Sequence, residues 1–462
     1  MNSIWRPVAC FLSLFGLLAC NDDTNRVIAE HTSPAGHVFQ LMPITDRGVT
    51  DITVSAAWAT DWLNDPNNNP WVPNLATEMM ISGGTAELSP ADVLELLEDK
   101  NAYGDIGAAA DFIYAEVEFP NNHRDTVVPV LSDLFQRPVF DSNWFDRIKG
   151  QRRYDAAVED KAIAFDMWEA SRHAIFGESP QVEFLNRKNL EALDTATLDD
   201  LRAWHEKSFS HAPVALVVTG AVNAEDAGEI IDALLPPPGD APSEFFDATS
   251  LQLPDEMIYL HRPEAEKSVI GLLGTLPDTR DGKDGVDLVI AHLFAGGADS
   301  PLFDAIRTNL GASYGMSVEL VNYSRAQRGF IIAGEIDTKK MPDARDAVLA
   351  AYSSFRTEPD LDSLTDITQR IANSIRHEMV FVSSSARMIR ELLLDDRDPQ
   401  EYQTLPYMMS QLNGDAVKQR LLSAFPEATN LSVFAAGPAP SAFPEACIIT
   451  TTEQALDCKT SE

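Results

Sequence analysis

Residues 296–320 read GGADSPLFDAIRTNLGASYGMSVEL, and the fold is decided by how this stretch is read. Ser300 is a good helix N-cap because its hydroxyl can accept from an orphan backbone N–H. Pro301 suits the first helical position, where its fixed φ and missing donor do no harm. Gly311 can adopt the left-handed conformation that ends a helix. A short helix is therefore predicted over 301–310, with Leu302, Phe303, Ile306 and Leu310 on one face and Arg307 on the rim of that stripe. A strand is predicted next, in which Tyr314 alternates in step with Met316, Val318 and Leu320 and so belongs to the inward-packing side. A guanidinium and a phenol are thereby held on two rigid elements either side of a glycine turn. Both can donate hydrogen bonds to one carbonyl oxygen.

Outward from this stretch the chain divides in two. Residues 235–254, LPPPGDAPSEFFDATSLQLP, hold three consecutive prolines and few helix or strand signals, which reads as a linker. Each flanking half begins with strands, passes through a helix ending in a glycine turn, returns to strands, runs through long helices and closes with a strand, at 214–222 and 430–437. A single repeat near 200 residues is a duplicated domain, not a solenoid. Strands followed by a block of helices argue an α+β class, each domain a mainly antiparallel sheet packed with helices.

In the first half, strands are predicted at 52–58 and 111–119. The second alternates Phe112, Tyr114, Glu116 and Glu118 against Ile113, Ala115, Val117 and Phe119. Between them, 73–82 (PNLATEMMIS) reads as a helix stopped by Gly83-Gly84, and Ser89-Pro90 opens another. Helical segments are predicted at 142–176 and 197–209.

The order Ser-x-Leu-Phe, then Arg307, Gly311 and Tyr314, resembles the C-terminal half of the pitrilysin or insulinase-like (M16) zinc metallopeptidases. In that family the corresponding Arg and Tyr contact the substrate carbonyl across from the zinc. Active members also carry His-x-x-Glu-His just before a Gly-Thr, with two histidines on one helix face to hold zinc and a glutamate to activate water. Counting back from Gly84-Thr85 places Leu75, Glu78 and Met79 where His, Glu and His should stand. Where the family supplies a third ligand, a glutamate, this chain reads QRRYDAAVED (151–160), with Asp155 and Glu159 flanking the expected place. Two carboxylates do not replace two imidazoles. The nine histidines form no His-Glu-x-x-His or His-x-x-x-His elsewhere, and no Ser nucleophile elbow, Walker A loop or dinucleotide fingerprint is present.

The chain of 462 residues is 45% hydrophobic, enough for a sizeable core and more than one domain. Its formal charge of −36 repels nucleic acid and anionic headgroups. Met1 to Cys20 resembles a bacterial lipoprotein signal: Arg6 precedes a short apolar run ending in Leu17-Leu18-Ala19-Cys20. That resemblance implies cleavage before Cys20, lipidation of Cys20 and a mature chain tethered on the periplasmic side of a bacterial envelope. Cys447 and Cys458 then remain, and an exported compartment favours their pairing.

The expected organisation is a signal (1–19), a tether (20–30), an N-terminal M16-like domain with a degenerate zinc site (31–234), the linker (235–254), a C-terminal domain with the Arg/Tyr pair (255–440) and a tail (441–462). The resemblance implies a clam-like half-chamber and the non-zinc subunit of a two-chain peptidase. No cofactor is expected on this chain. Zinc is expected in a His-x-x-Glu-His partner, with Arg307 and Tyr314 acting on the peptide in trans. Two other readings use the same residues: a scaffold or peptide-binding protein without catalysis, and an autonomous peptidase with unorthodox metal ligands.

Overall fold

Two six-stranded sheets form the frame of the computed structural model, which describes residues 26–45, 48–159, 162–185, 190–239, 245–246, 248, 251–313 and 315–458. The first sheet contains β1 (Ala29–Thr32), β2 (Val38–Pro43), β3 (Asp51–Ala59), β4 (Tyr103–Ala108), β5 (Phe112–Pro120) and β6 (Ala215–Gly220), in the order β1-β2-β6-β3-β5-β4. The second contains β7 (Ile258–His261), β8 (Ser268–Leu276), β9 (Met316–Asn322), β10 (Arg328–Ile336), β11 (Ser432–Gly437) and β12 (Cys447–Ile449), in the order β12-β7-β11-β8-β10-β9. Matching β2, β6, β3, β5 and β4 to β7, β11, β8, β10 and β9 superimposes the two orders. Each sheet has the same parallel pair, β2 with β6 and β7 with β11, and the second sheet adds a further parallel strand, β12, beside β7.

Alternation along β5 assigns its faces. Ile113, Ala115, Val117 and Phe119 enter the main core of the first half with Val54, Ala56 and Trp58 of β3, and the Val72–Ser82 helix closes that core through Leu75, Ala76, Met79 and Met80. The opposite face carries Tyr114, Glu116 and Glu118. Strand β5 starts at Phe112 and not at Asp111. The Asp111 carboxylate is instead committed to Arg325 of the second half, accepting from its backbone N–H at 3.0 Å and its Nε at 3.2 Å.

The halves exchange helices. Residues 142–176 form two helices, Ser142–Glu159 and Ile163–Phe176. The second packs Met167, Ala170 and Ile175 on the second sheet, against Ile258, Leu260, Val269 and Phe434. Reciprocally, the Val382–Leu394 helix lays Val382, Ala386, Ile389 and Leu392 against Met42, Ile44 and Val217 of the first half. The contact is close: a Cβ on Gly271 would lie 2.4 Å from the Trp168 ring, so that position tolerates only glycine. Helices of one covalent half thus cover the sheet of the other, where the sequence reading had placed each block on its own sheet. The described part of 235–254 forms no helix or strand but packs, with Phe246 against the first core and Leu251 and Leu253 against the second sheet.

In the second half, a buried ion network ties the Asp284–Ala295 helix to β10 and to the Gly414–Ala424 helix. Asp287, fully buried, accepts from Arg328 Nη1 at 2.6 Å, Arg420 Nε at 2.7 Å and Arg420 Nη2 at 2.8 Å. Beyond β11 the tail returns as β12, parallel to β7, and a disulfide joins Cys447 to Cys458.

Candidate functional site

The two glycine-ended helices that carry the sequence-predicted site residues differ sharply. The Val72–Ser82 helix ends where Gly83 N–H donates to Met79 O at 2.8 Å and Gly84 turns with φ +79°. Leu75 and Met79, expected at the two histidine positions, are each 1% exposed and belong to the hydrophobic core. Glu78 points to the neighbouring Ser142–Glu159 helix, where its Oε2 accepts from Arg152 Nη2 at 2.5 Å. Arg152 also lies 3.6 Å from Asp155, and Trp144 Nε1 donates to Ser82 Oγ at 2.9 Å, so the two helices are fastened along their length. The side chain of Glu159 lies outside the described residues.

A zinc ion does not fit this arrangement. Its two nitrogen donors are replaced by apolar side chains buried in a core, and the remaining glutamate and Asp155 already face a guanidinium. Among the described residues no group of three or more His, Cys, Asp or Glu could hold a metal ion. Arg152 is the residue that sequence reasoning passed over: it stands inside the QRRYDAAVED segment searched for carboxylates, yet it supplies the cation.

The helix of the second half keeps its polar residue outward. Ser300 caps it, accepting from Phe303 N–H at 3.4 Å, with Pro301 in the first turn. An α-helical turn over Pro301–Phe303 passes into a π-helical turn over Asp304–Asn309, so the predicted helix is present with a wider second turn. Leu302 and Ile306 are buried, whereas Arg307 is exposed with its Cζ 5.1 Å from the Phe303 ring centre. Widening at this turn presents Arg307 beyond the packed stripe. Gly311 has φ +59°, and Lys340 Nζ donates to the freed carbonyls of Leu310 (2.8 Å) and Gly311 (3.1 Å). Strand β9 begins at Met316, with Met316, Val318 and Leu320 packed toward the core. Tyr314 lies outside the described residues, as does Cys20.

A second polar cluster went unnoticed in the sequence because its parts are far apart in the chain. On the non-core face of the first sheet, Arg390 Nη1 donates to Ser55 Oγ at 3.1 Å, approaches Glu116 at 4.0 Å and lies over the Tyr114 ring at 5.3 Å. Burial pushes the Glu116 and Asp105 carboxyls above the usual range, opposed by Arg390. It pushes the Tyr103 phenol up to about 12, with Asp105 and Glu116 adding to the shift. His37, His173, His205 and His292 are all held below their ordinary value, first by desolvation.

Residues 195–369 match the family model described as the Peptidase M16 inactive domain. That match includes Arg307 and Tyr314 and excludes the Val72–Ser82 helix. No curated protein matches the chain. Among solved structures, the peptidase M16 inactive domain from Pseudomonas fluorescens is similar with a TM-score of 0.76 at 15% identity, covering 89% of this chain and 98% of that one. A protease from Helicobacter pylori gives 0.71 at 11% identity, covering 89% and 100%. The first half of the periplasmic protease PqqL from Escherichia coli gives 0.66 at 14% identity, covering 94% and 97%. At such identities the likenesses speak for the fold, two α+β units in tandem. The inactive-domain match covers less than half of the chain, and over 195–369 this chain is similar to the Peptidase M16 inactive domain.

Proposed function

We propose that this chain is the non-catalytic subunit of a two-chain zinc peptidase, binding peptide and supplying Arg307 and Tyr314 to the active site of a partner that carries the zinc. The observation that supports this most is the asymmetry between its two glycine-ended helices. The first has buried its metal positions and tied its glutamate to Arg152, while the second keeps Arg307 exposed on a widened turn inside the inactive-domain match. A guanidinium and a phenol facing a peptide carbonyl meet more negative charge in the tetrahedral transition state than in the ground state, and this difference accelerates hydrolysis. Lipidation at Cys20 would hold the assembly at the periplasmic face of a bacterial membrane, with each chain forming half of a closing chamber.

The test reconstitutes the full chain with a His-x-x-Glu-His M16 partner and follows peptide hydrolysis. Arg307→Ala and Tyr314→Phe should each lower turnover about 10²-fold while sedimentation shows the complex intact. Unchanged turnover in both variants with the complex assembled refutes the shared site and leaves a scaffold.

A further inference from the structure

Away from both glycine-ended helices, a cavity of about 660 Å³ opens where five separate segments meet: the turn after β3, the end of the Ile163–Phe176 helix with the residues just beyond it, the packed linker, the turn between β9 and β10, and the disulfide-bonded tail. Its polar wall consists of Asn64, His173, Ser179, Gln181, Gln252 and Gln327, and its apolar wall includes Phe176 and Phe246. No described lining residue is Asp, Glu, Lys or Arg, in a chain with 71 acidic residues.

Two of these side chains are buried with unspent hydrogen-bonding capacity. Gln181 is 0% exposed; its Nε2 donates to Tyr323 O at 3.3 Å, and its Oε1 has no partner among the described residues. His173 is 5% exposed, and its Nε2 likewise has none. Leaving such atoms unpaired is costly, so a site that keeps them is built for something that pairs with them. Gln181 is held firmly: its N–H donates to Ser179 Oγ at 3.2 Å, and Tyr323, whose carbonyl receives the Gln181 amide, packs edge-on against Phe176 at 5.0 Å.

The chemistry of the wall selects the ligand. An ion would enter without a counter-charge on the described lining and lose its hydration. A hydroxyl both donates and accepts, and so satisfies a carbonyl oxygen, which only accepts, as well as an imidazole nitrogen in either tautomer. Burial keeps the His173 imidazole neutral, against the pull of Glu453 and Glu183. The volume lies within the range of roughly 300–1,000 Å³ typical of small-molecule sites, and the Phe rings offer apolar faces for the C–H side of a sugar ring. We propose that this cavity binds a neutral polyhydroxylated small molecule of mono- to disaccharide size, recognised by His173 and Gln181.

The experiment titrates the full chain calorimetrically with glucose, N-acetylglucosamine and maltose, and in parallel with glucose 6-phosphate and glucosamine. Saturable binding of at least one neutral sugar is expected, with its charged counterparts at least tenfold weaker. His173→Leu and Gln181→Leu should each weaken binding at least tenfold. Leu456→Trp, a change at an exposed lining residue that fills the cavity mouth, should do the same without removing any buried group. Absence of saturable binding by all three neutral sugars overturns the proposal. So does equal or tighter binding of the charged analogues, or wild-type affinity in Leu456→Trp.

Discussion

Arg152 reaches across from one helix to the next to place its Nη2 2.5 Å from Glu78 Oε2, so the cation beside this glutamate is a guanidinium. Both side chains are about one-quarter exposed, so the pair is partly shielded from solvent. Removing the arginine leaves Glu78 without its charge partner beside a hydrophobic core. Arg152→Ala should lower the unfolding free energy by about 1–2 kcal/mol in urea titrations. The purified wild-type chain should hold well under one zinc per molecule. Leu75→His with Met79→His should stay metal-poor until Arg152→Ala is added, as read by metal analysis of folded protein.

Arg307 is exposed, so its loss should hardly register in the isolated chain. Arg307→Ala is expected to change stability by less than about 0.5 kcal/mol. The same variant should lose about 10²-fold in turnover when assembled with a zinc-bearing partner. Thermal denaturation and reconstituted kinetics on one preparation separate the two effects.

Asp287 is the opposite case, a carboxylate with no exposure that holds Arg328 and Arg420 together. Asp287→Ala leaves Arg328 with Asp284 and Arg420 with Asp281 as remaining partners, and should cost about 3 kcal/mol, the low end for breaking a buried ion pair. Asp287→Asn, which keeps one acceptor oxygen, should cost less. Chemical denaturation of both variants measures the difference.

Asp395 should give stability a pH dependence of unusual sign. Burial pushes its carboxyl up to about 6, against the hydrogen bond it accepts from Thr279 Oγ1 at 2.5 Å, and Asp284 adds to the rise. Between the ordinary carboxylate value near 4 and about 6, the folded chain retains a proton that the unfolded chain has lost. The contribution of Asp395 therefore falls as pH rises through that window and is flat above it. Asp395→Asn should remove this fall, seen as a Tm difference from wild type that grows in favour of the variant from pH 4 to pH 6 and then levels off.

Cys20→Ser tests the anchor. The wild-type chain expressed in a bacterium should fractionate with membranes, and the variant should appear unprocessed or soluble. Equal membrane association of both forms excludes lipidation as the tether.

Much of the frame was legible because it rests on local rules. Alternation along 111–119 and the Ser300-Pro301 start with the Gly311 stop depend on neighbouring residues alone, and strands and helix formed there with ends shifted by a residue or two. The π-helical turn at Asp304–Asn309 was not legible, since its widening is decided by what packs beneath Leu302 and Ile306.

Sequence by itself determined that this is a duplicated α+β chain whose first glycine-ended helix carries the apolar Leu75 and Met79 on one face, because hydrophobic period, glycine stops and residue identity are written in the chain. Tertiary structure alone decided the pairing of Glu78 with Arg152, the exchange of the Ile163–Phe176 and Val382–Leu394 helices between sheets, and the meeting of His173 with Gln181, Phe246 and the disulfide-bonded tail around one cavity. Apolar stripes such as Met167, Ala170 and Ile175 state that a face must be buried, but not against which sheet. That choice is made by shape complementarity over distances that no local pattern records.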